Sequence, residues 1–516
     1  MTYTVMRILT YVLCIVGTAL LLPLGVAIWR GETPMIPVFA GPLALAWLAS
    51  LTFLIKARGK PKVIGLQDAF AVVGTLWIVI CLFGALPLYF SGSFTSFTDA
   101  LFESVSGFTT TGATVLADVE LLPQSVNVWR CLAHWLGGLG VVALGVAMIP
   151  LLGAGGFRLI KAEATGPDKD KFTVSIASTA KALWFIYVGL TVLQMWLLHS
   201  AGLEWIDALC HALSTLGTGG FSTRNASVGA FGNAAVEWIC TVFMLLGTIN
   251  FAMYCKLFAG RVSEVVKNSE LRAFLVIVPA AVAVVVAVEA FSSPSFGETL
   301  RKASFQVVSV ISSTGFMTSD YTSWQSASQI VVVALFLIGG CAGSTAGGIK
   351  IIRWMVLAKQ LVNEMRRLVH PYGVYTLRIN GIPGRENFIP AVAVFIFAYL
   401  SLVMVTAFAG ALCGLDLLTA FTAALAMAGN IGPAFGSLGP SCNYGELPDF
   451  LKWWYMVTML AGRLEIYTLL LVVRIFIGGR DRVRPVGVKY AQDQLSYPYR
   501  LVRRQRYCRD DGSLGN

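Results

Sequence analysis

The sequence predicts an all-α polytopic membrane protein: four consecutive helix–pore-helix–filter-loop–helix repeats around a central pore, behind an N-terminal two-helix hairpin. Three observations predict it. The first is composition: 516 residues are 56% hydrophobic and only 13% charged, with mean hydropathy +0.73. A soluble chain of this make-up would expose far too much apolar surface, whereas helices satisfy their own backbone groups in lipid. The apolar stretches are long and continuous rather than alternating, which disfavours a transmembrane barrel. The second is a short run of hydroxyls and glycines that recurs about once per quarter of the chain. The third is the clustering of basic residues between the apolar segments.

The recurring run is Ser106–Thr114, Ser214–Ser222, Ser309–Met317 and, in degenerate form, Ala426–Ala434. Aligned without gaps, each copy has a small residue six places before a glycine: Ser106/Gly112, Ser214/Gly220, Ser309/Gly315 and Ala426/Gly432. A short polar loop at a regular period marks an internal repeat.

The elements follow in order. Residues 5–29 and 36–55 are two apolar spans joined by a loop with Gly31, Pro34 and Pro37. A single Arg7 stands before the apolar run and no small-residue cleavage site follows, so this reads as a retained helix. The hairpin, 1–62, ends in the basic run Lys56–Lys62. Repeat 1 (63–160) has spans 69–91 and 128–150, with a stretch at 96–108 too short to cross a bilayer that needs about 20 residues. Repeat 2 (161–262) has 180–200, 204–216 and 232–257. Repeat 3 (263–370) has 272–292, 298–311 and 326–350. Repeat 4 (371–480) has 387–412, 415–428 and 451–477, and 481–516 form a basic tail.

Net charge is +11, but its placement matters more. Arg7, the tail from Arg474 and four clusters (Lys56–Lys62, Arg158–Lys181, Lys256–Arg272, Lys350–Arg385) hold 31 of the 38 bases. Segments between them carry mostly acids, among them Asp99, Glu103, Asp118, Glu204, Asp207 and Glu298. The positive-inside rule puts the clusters and both termini in the cytoplasm. Each repeat has an even number of crossings, which returns its ends to that same side. No basic domain stands apart from the spans, so nucleic acid is excluded as a partner. Cysteines and histidines show no metal-ligand spacing. No P-loop or dinucleotide fingerprint is present, so no organic cofactor is expected in this chain.

Irregular backbone at membrane depth is tolerated only where protein covers it or it lines a watery cavity. Four such loops around an axis present rings of carbonyls that replace the water around a cation. Glycine permits the backbone angles this needs, Thr and Ser add hard oxygens, and the negative end of each short helix favours positive charge. The acids between the clusters would concentrate cations at the entrance. Small-residue helix packing explains Gly137, Gly138, Gly140 and Gly145, but gives no reason for a polar loop to follow a half-length helix four times.

At these motifs the chain resembles the Trk/Ktr/HKT superfamily of cation transporters, most closely its TrkH branch, to which the extra N-terminal hairpin is similar. The run Gly339–Lys350 and Ala461-Gly462-Arg463-Leu464-Glu465 support the match, which covers nearly the whole chain. The resemblance implies a potassium-binding filter of Thr110, Thr111 and Gly112, Thr218, Gly219 and Gly220, Ser313, Thr314 and Gly315, and Asn430, Ile431 and Gly432, with K+ as the transported ion. Which of Gly219 and Gly220 is the second filter glycine stays open. Glycine rather than serine at 112 implies potassium preference. The resemblance makes Gly343, Ser344, Thr345, Ala346, Gly347 and Gly348 an intramembrane gating loop. It makes Arg463, an expensive charge within a span, a barrier to cations; Glu465 is expected to be structural. It further implies a homodimer in the bacterial inner membrane and a separate cytosolic nucleotide-binding subunit of TrkA type, for which Arg158–Lys181 and Arg366–Arg385 are candidate docking faces. No catalytic residues are expected.

Other readings predict other features. A potassium-pump subunit of KdpA type shares the filter logic but not the long glycine run or Arg463. A secondary solute transporter would show inverted repeats and two broken helices. A sodium- or proton-coupled symporter needs a titrating or second-ion site, for which only Glu289 and Glu465 stand near enough. A membrane enzyme would want a nucleophile, metal cluster or paired carboxylates at depth.

Overall fold

Local sequence starts the helices where the apolar runs begin. Ser96 caps the helix Phe97–Phe108, its Oγ accepting from the Asp99 N–H at 3.1 Å. Asn233 caps Ala234–Thr248, Asn268 caps Ser269–Glu289 and Asp416 caps Leu417–Gly429 in the same way, each satisfying a backbone donor that the first turn leaves free. The structure, a computed structural model, describes residues 3–56, 66–152, 169–291, 295–380, 382–383, 388–466 and 468–470. The basic linker at 57–62, residues 158–168 and the tail from Arg474 lie outside the described residues, as do three of the expected repeat boundaries.

The first helices are α1 (Tyr3–Ala19), α2 (Leu21–Arg30) and α3 (Met35–Lys56). They are followed by α4 (Leu66–Phe90), α5 (Phe97–Phe108), α6 (Gln124–Leu152), α7 (Lys169–Ser200) and α8 (Trp205–Gly217). The middle of the chain forms α9 (Ala234–Thr248), α10 (Phe251–Phe258), α11 (Val262–Val266), α12 (Ser269–Glu289) and α13 (Phe296–Ile311). Then come α14 (Ser326–Phe336), α15 (Ile351–Val369), α16 (Phe388–Leu412), α17 (Leu417–Gly429) and α18 (Asp449–Arg463). Among the described residues the only β-structure is a two-residue antiparallel ribbon, Arg378–Ile379 with Ile382–Pro383.

The membrane-length apolar helices lie outside, and the four short helices that precede the polar loops lie inside. Among the described residues six helices are long and apolar enough to cross a membrane, and their apolar stretches are only partly covered by protein: 22% for Ser269–Glu289, against 56% for Val72–Phe90. This is an integral membrane protein whose outer helices face lipid. The short helices are the reverse. Every residue of α5 from Asp99 to Phe108, and all but one of α17 from Thr419 to Gly429, is buried. Between lipid-embedded helices the attraction is close contact rather than water exclusion, and small residues permit it. A β-carbon on Gly84 would stand 2.8 Å from Ser104 Oγ, whose hydroxyl donates to the Cys81 carbonyl at 2.7 Å and ties α5 to α4.

Two expected spans are broken. Residues 232–257, expected as one helix, bend by 91° between α9 and α10. Asn250 starts α10 by accepting from the Ala252 N–H at 2.9 Å, and the carbonyls freed at Gly247 and Thr248 bind elsewhere, as shown below. Residues 451–477, also expected as one helix, stop at Arg463 because Glu465 and Ile466 take left-handed backbone angles (φ 56° and 44°). The interruption expected after 326 is present: α14 ends at Phe336 and helix resumes at Ile351.

Candidate functional site

The four polar loops share one backbone. Each short helix ends in a residue of left-handed φ: Thr110 at 55°, Thr218 at 54°, Ser313 at 54° and Asn430 at 53°. Two residues later comes a glycine of positive φ: Gly112 at 80°, Gly220 at 88°, Gly315 at 76° and Gly432 at 94°. Between them, the N–H groups of Thr111, Gly219, Thr314 and Ile431 donate to the carbonyls of Ser106, Ser214, Ser309 and Ala426, all at 2.9 Å. This is the Schellman closure of a helix, in which the second residue past the end reaches back five positions. It explains the spacing in the sequence: the small residue accepts the closing bond, and the glycine is the next residue after the donor.

The glycines then interlock the loops. A β-carbon on Gly112 would overlap the carbonyl oxygen of Gly219, one on Gly220 that of Thr314, and one on Gly315 that of Ile431. A β-carbon on Gly432 would lie 2.5 Å from the carbonyl oxygen of Thr111. Each loop therefore seats the carbonyl of the next, and the fourth closes on the first. Gly220 holds the register of Gly112, Gly315 and Gly432, while Gly219 supplies the carbonyl that matches those of Thr111, Thr314 and Ile431. Gly219 has its own reason to be glycine, since its β-carbon would fall within the His134 ring.

Side chains brace the ring unequally. Thr109 and Thr111 share a hydroxyl bond of 2.8 Å, and Ser312 and Thr314 one of 2.7 Å. Asn430 Nδ2 donates to Thr111 Oγ1 at 2.9 Å and to the Met459 carbonyl at 3.0 Å, joining the fourth loop to the first and to α18. Behind the second loop His134 lies 2.9 Å from Ser214 Oγ and stacks on Phe221 at 4.1 Å. Past the glycines a cavity of about 130 Å³ opens, touching Gly112, Gly220, Gly315 and Pro433.

Arg130 lines this cavity and pairs with Glu103, a pairing that sequence reasoning missed. Arg130 Nε donates to Glu103 at 2.8 Å, and both side chains are 1% exposed or less. Glu103 also accepts from the Val115 N–H at 3.1 Å and from the Thr114 hydroxyl, while the guanidinium lies 4.2 Å from the centre of the Phe221 ring. The signal was present: a lone arginine inside the apolar run of α6 has the same standing as Arg463. The acids expected to concentrate cations are partly engaged elsewhere. Asp99 pairs with Lys452 at 2.6 Å, Glu103 with Arg130, Asp207 with Arg224 at 2.8 Å, and Glu204 with Arg30. Asp118, in the loop before α6, keeps its charge at neutral pH, the Asn225 amide holding its carboxyl below the usual range.

The segment 337–350 packs against the helix-end side of the ring. The Gly347 N–H donates to Ser313 Oγ at 2.6 Å, and a β-carbon on Gly347 would overlap the Gly429 carbonyl. The Thr345 hydroxyl donates to the Gly247 carbonyl at 3.0 Å, the Cys341 N–H donates to the Thr248 carbonyl at 3.1 Å, and the Phe251 N–H donates to the Gly343 carbonyl at 3.1 Å. The bend between α9 and α10 is thus where this segment docks. Gly343 and Gly348 supply positive φ, and Ser344, Thr345 and Ala346 are buried. Arg463, 6% exposed, donates through Nη1 to the Thr345 carbonyl at 2.8 Å and through Nη2 to the Gly137 carbonyl at 3.1 Å. Gly137 and Gly138 are close-packing positions as expected, the first against the Phe108 carbonyl and the second against Gly217. Glu465 pairs with Arg353 at 2.6 Å rather than with Arg463.

A polytopic helical bundle whose centre is a closed ring of loop carbonyls defines an integral membrane protein of the ion-transport class. The chain belongs to the TrkH family of cation transport proteins, whose model matches residues 39–479. It is 36% identical over 479 residues to the Trk system potassium uptake protein TrkH of Halomonas elongata, covering 91% of this chain and 97% of that one. To the Escherichia coli protein of the same name it is 38% identical over 422 residues, covering 81% and 86%. The crystal structure of the potassium transporter TrkH from Vibrio parahaemolyticus superimposes with TM-score 0.83 at 34% identity, covering 91% of this chain and 98% of that one.

Proposed function

We propose that this chain takes up potassium through a channel-like pore whose filter is the ring of Thr110–Gly112, Thr218–Gly220, Ser313–Gly315 and Asn430–Gly432. The closure of that ring, each glycine seating the next loop's carbonyl, is the observation that carries the reading. Carbonyls held this way replace the hydration shell of a bare cation without a cost of rearrangement when it arrives. The relatives' description as potassium uptake proteins supports K+ as the ion. The segment 343–348 serves as the gate, lying across the helix-end side of the ring, and Arg463 holds it there while opposing cation passage by its charge. Glu289 and Glu465, the acids available for ion coupling, are engaged with the Gln325 N–H and with Arg353. That favours conduction driven by the membrane potential, which contributes roughly 2.3 kcal/mol per 100 mV.

The chain divides by this reading into the hairpin 1–62, four pore repeats (63–160, 161–262, 263–370, 371–480) and the tail 481–516. It sits in the bacterial inner membrane with both termini in the cytoplasm, as a homodimer, and a TrkA-type cytosolic subunit controls it. The exposed Arg366 and Arg367 at the end of α15 belong to the docking face. The test is rubidium-86 uptake in a potassium-uptake-deficient bacterium, wild type against Gly112→Ser. Uptake blocked by potassium but not sodium, with sodium admitted by G112S, is the expected result. No cation uptake with a TrkA-type subunit co-expressed would overturn it.

A further inference from the structure

Glu270 stands in the first turn of α12 and is only 5% exposed. One oxygen of its carboxylate serves two distant points of the chain: Oε1 accepts from the Ala342 N–H at 2.7 Å and from the Ile352 N–H at 3.3 Å. Ala342 immediately precedes the segment 343–348, and Ile352 lies in the first turn of α15, just after it. The residue that begins α15, Lys350, makes no side-chain capping bond to its own helix, and instead its ammonium donates to the Ala346 carbonyl. The cap on α15 is therefore supplied from another helix, and a carboxylate suits the positive end of the helix dipole.

We propose that Glu270 is the latch of the gate: a positioning residue that ties both ends of the segment 343–348, and the start of α15, to one point on α12. The inference rests on reading that segment as a gate. Inside the latch the segment has two glycines of positive φ, Gly343 and Gly348, which serve as its bending points. Its base is closed by a bond from the Gly339 N–H to the Ile349 carbonyl at 2.9 Å. A pull on α15, whose outer end exposes Arg366, Arg367 and Leu368, reaches the gate through Ile352 and the shared oxygen. Releasing Glu270 removes a tie from both ends at once and shifts the gate toward leaving the ring, against the bonds that Cys341, Thr345, Gly347 and Arg463 still make, while the ring keeps its own bonds.

The test is rubidium-86 flux into proteoliposomes of the purified full-length chain without any partner subunit. Glu270→Ala, Glu270→Gln and a gate control lacking residues 343–345 are compared with wild type. Two bonds to a charged acceptor are lost in E270A, and flux rises about tenfold; E270Q keeps an acceptor oxygen without the charge, and flux rises about threefold. Discrimination of potassium from sodium stays at the wild-type level in both. A raised flux in the deletion control with no rise in either Glu270 variant overturns the latch and leaves the gate standing. No rise in the control or the variants overturns the gate, and the latch with it. A raised flux with lost discrimination overturns the latch by making Glu270 a support of the ring. Should E270A fail to fold, E270Q at wild-type flux is sufficient to overturn the proposal.

Discussion

Replacing Gly315 by alanine tests the ring at the join where the new β-carbon would meet a proline ring as well as a carbonyl. Gly315 has φ 76°, and a left-handed angle costs an L-residue roughly 1–2 kcal/mol. The new β-carbon would overlap the Ile431 carbonyl oxygen and lie 2.9 Å from Pro433 Cδ. The proline ring has no rotamer by which to withdraw, so the Ile431 carbonyl must turn. Its residue is held by the closing bond from the Ile431 N–H to the Ala426 carbonyl at 2.9 Å, which resists that turn. The backbone strain alone is a factor of about 5–30 in the population of the intact ring. Rubidium-86 uptake by G315A should fall by at least that factor, with a parallel loss of potassium over sodium preference. The protein should remain monodisperse in detergent, because the strain is local. Gly25→Ala is the matched control: no atom lies within 4 Å of its β-carbon position, and it should behave as wild type. Wild-type uptake and selectivity in G315A would refute the reasoning, since a carbonyl that tolerates displacement is not coordinating an ion.

Two further outcomes are expected. Arg463→Ala removes the bonds to the Thr345 and Gly137 carbonyls, and it should raise partner-free rubidium flux several-fold without changing ion preference, as bonds from a charged donor are worth about 1.5–3 kcal/mol each; unchanged flux would separate Arg463 from the gate. Glu103→Gln leaves the Arg130 guanidinium buried without its counter-charge, which typically costs about 3–5 kcal/mol. Thermal unfolding of the purified protein should drop clearly in E103Q, and the double variant with Arg130→Met should recover most of the loss; a double variant no better than the single one would show that the pair is not the cause.

Membrane class, the short buried helices and the four loops were legible in the sequence because each has a local cause. Apolar length reports a span, and a helix too short to cross reports itself. The small-residue-to-glycine spacing records a Schellman closure, made within one stretch of chain. The break after α14 was legible for the same reason, since glycines at 339, 340, 343, 347 and 348 cannot sustain a helix. The breaks at Ile249–Asn250 and after Arg463 were not. The residues around them read as ordinary membrane helix, and the bends occur where distant neighbours claim their polar groups: the segment 337–350 binds the carbonyls of Gly247 and Thr248, and Arg353 pairs with the carboxylate of Glu465.

The sequence by itself determined which residues form the four loops and which glycines they turn on, because those are properties of short, contiguous segments. Tertiary structure alone decided which partner each glycine meets. It put Gly220 rather than Gly219 in register with Gly112, a choice made by a carbonyl 94 residues further along the chain at Thr314 and by the His134 ring. It also paired Glu103 with Arg130 and set Glu270 between Ala342 and Ile352. Long-range pairings of this kind leave no periodic trace in the chain, since a charge in an apolar run announces that it needs a partner but not which one.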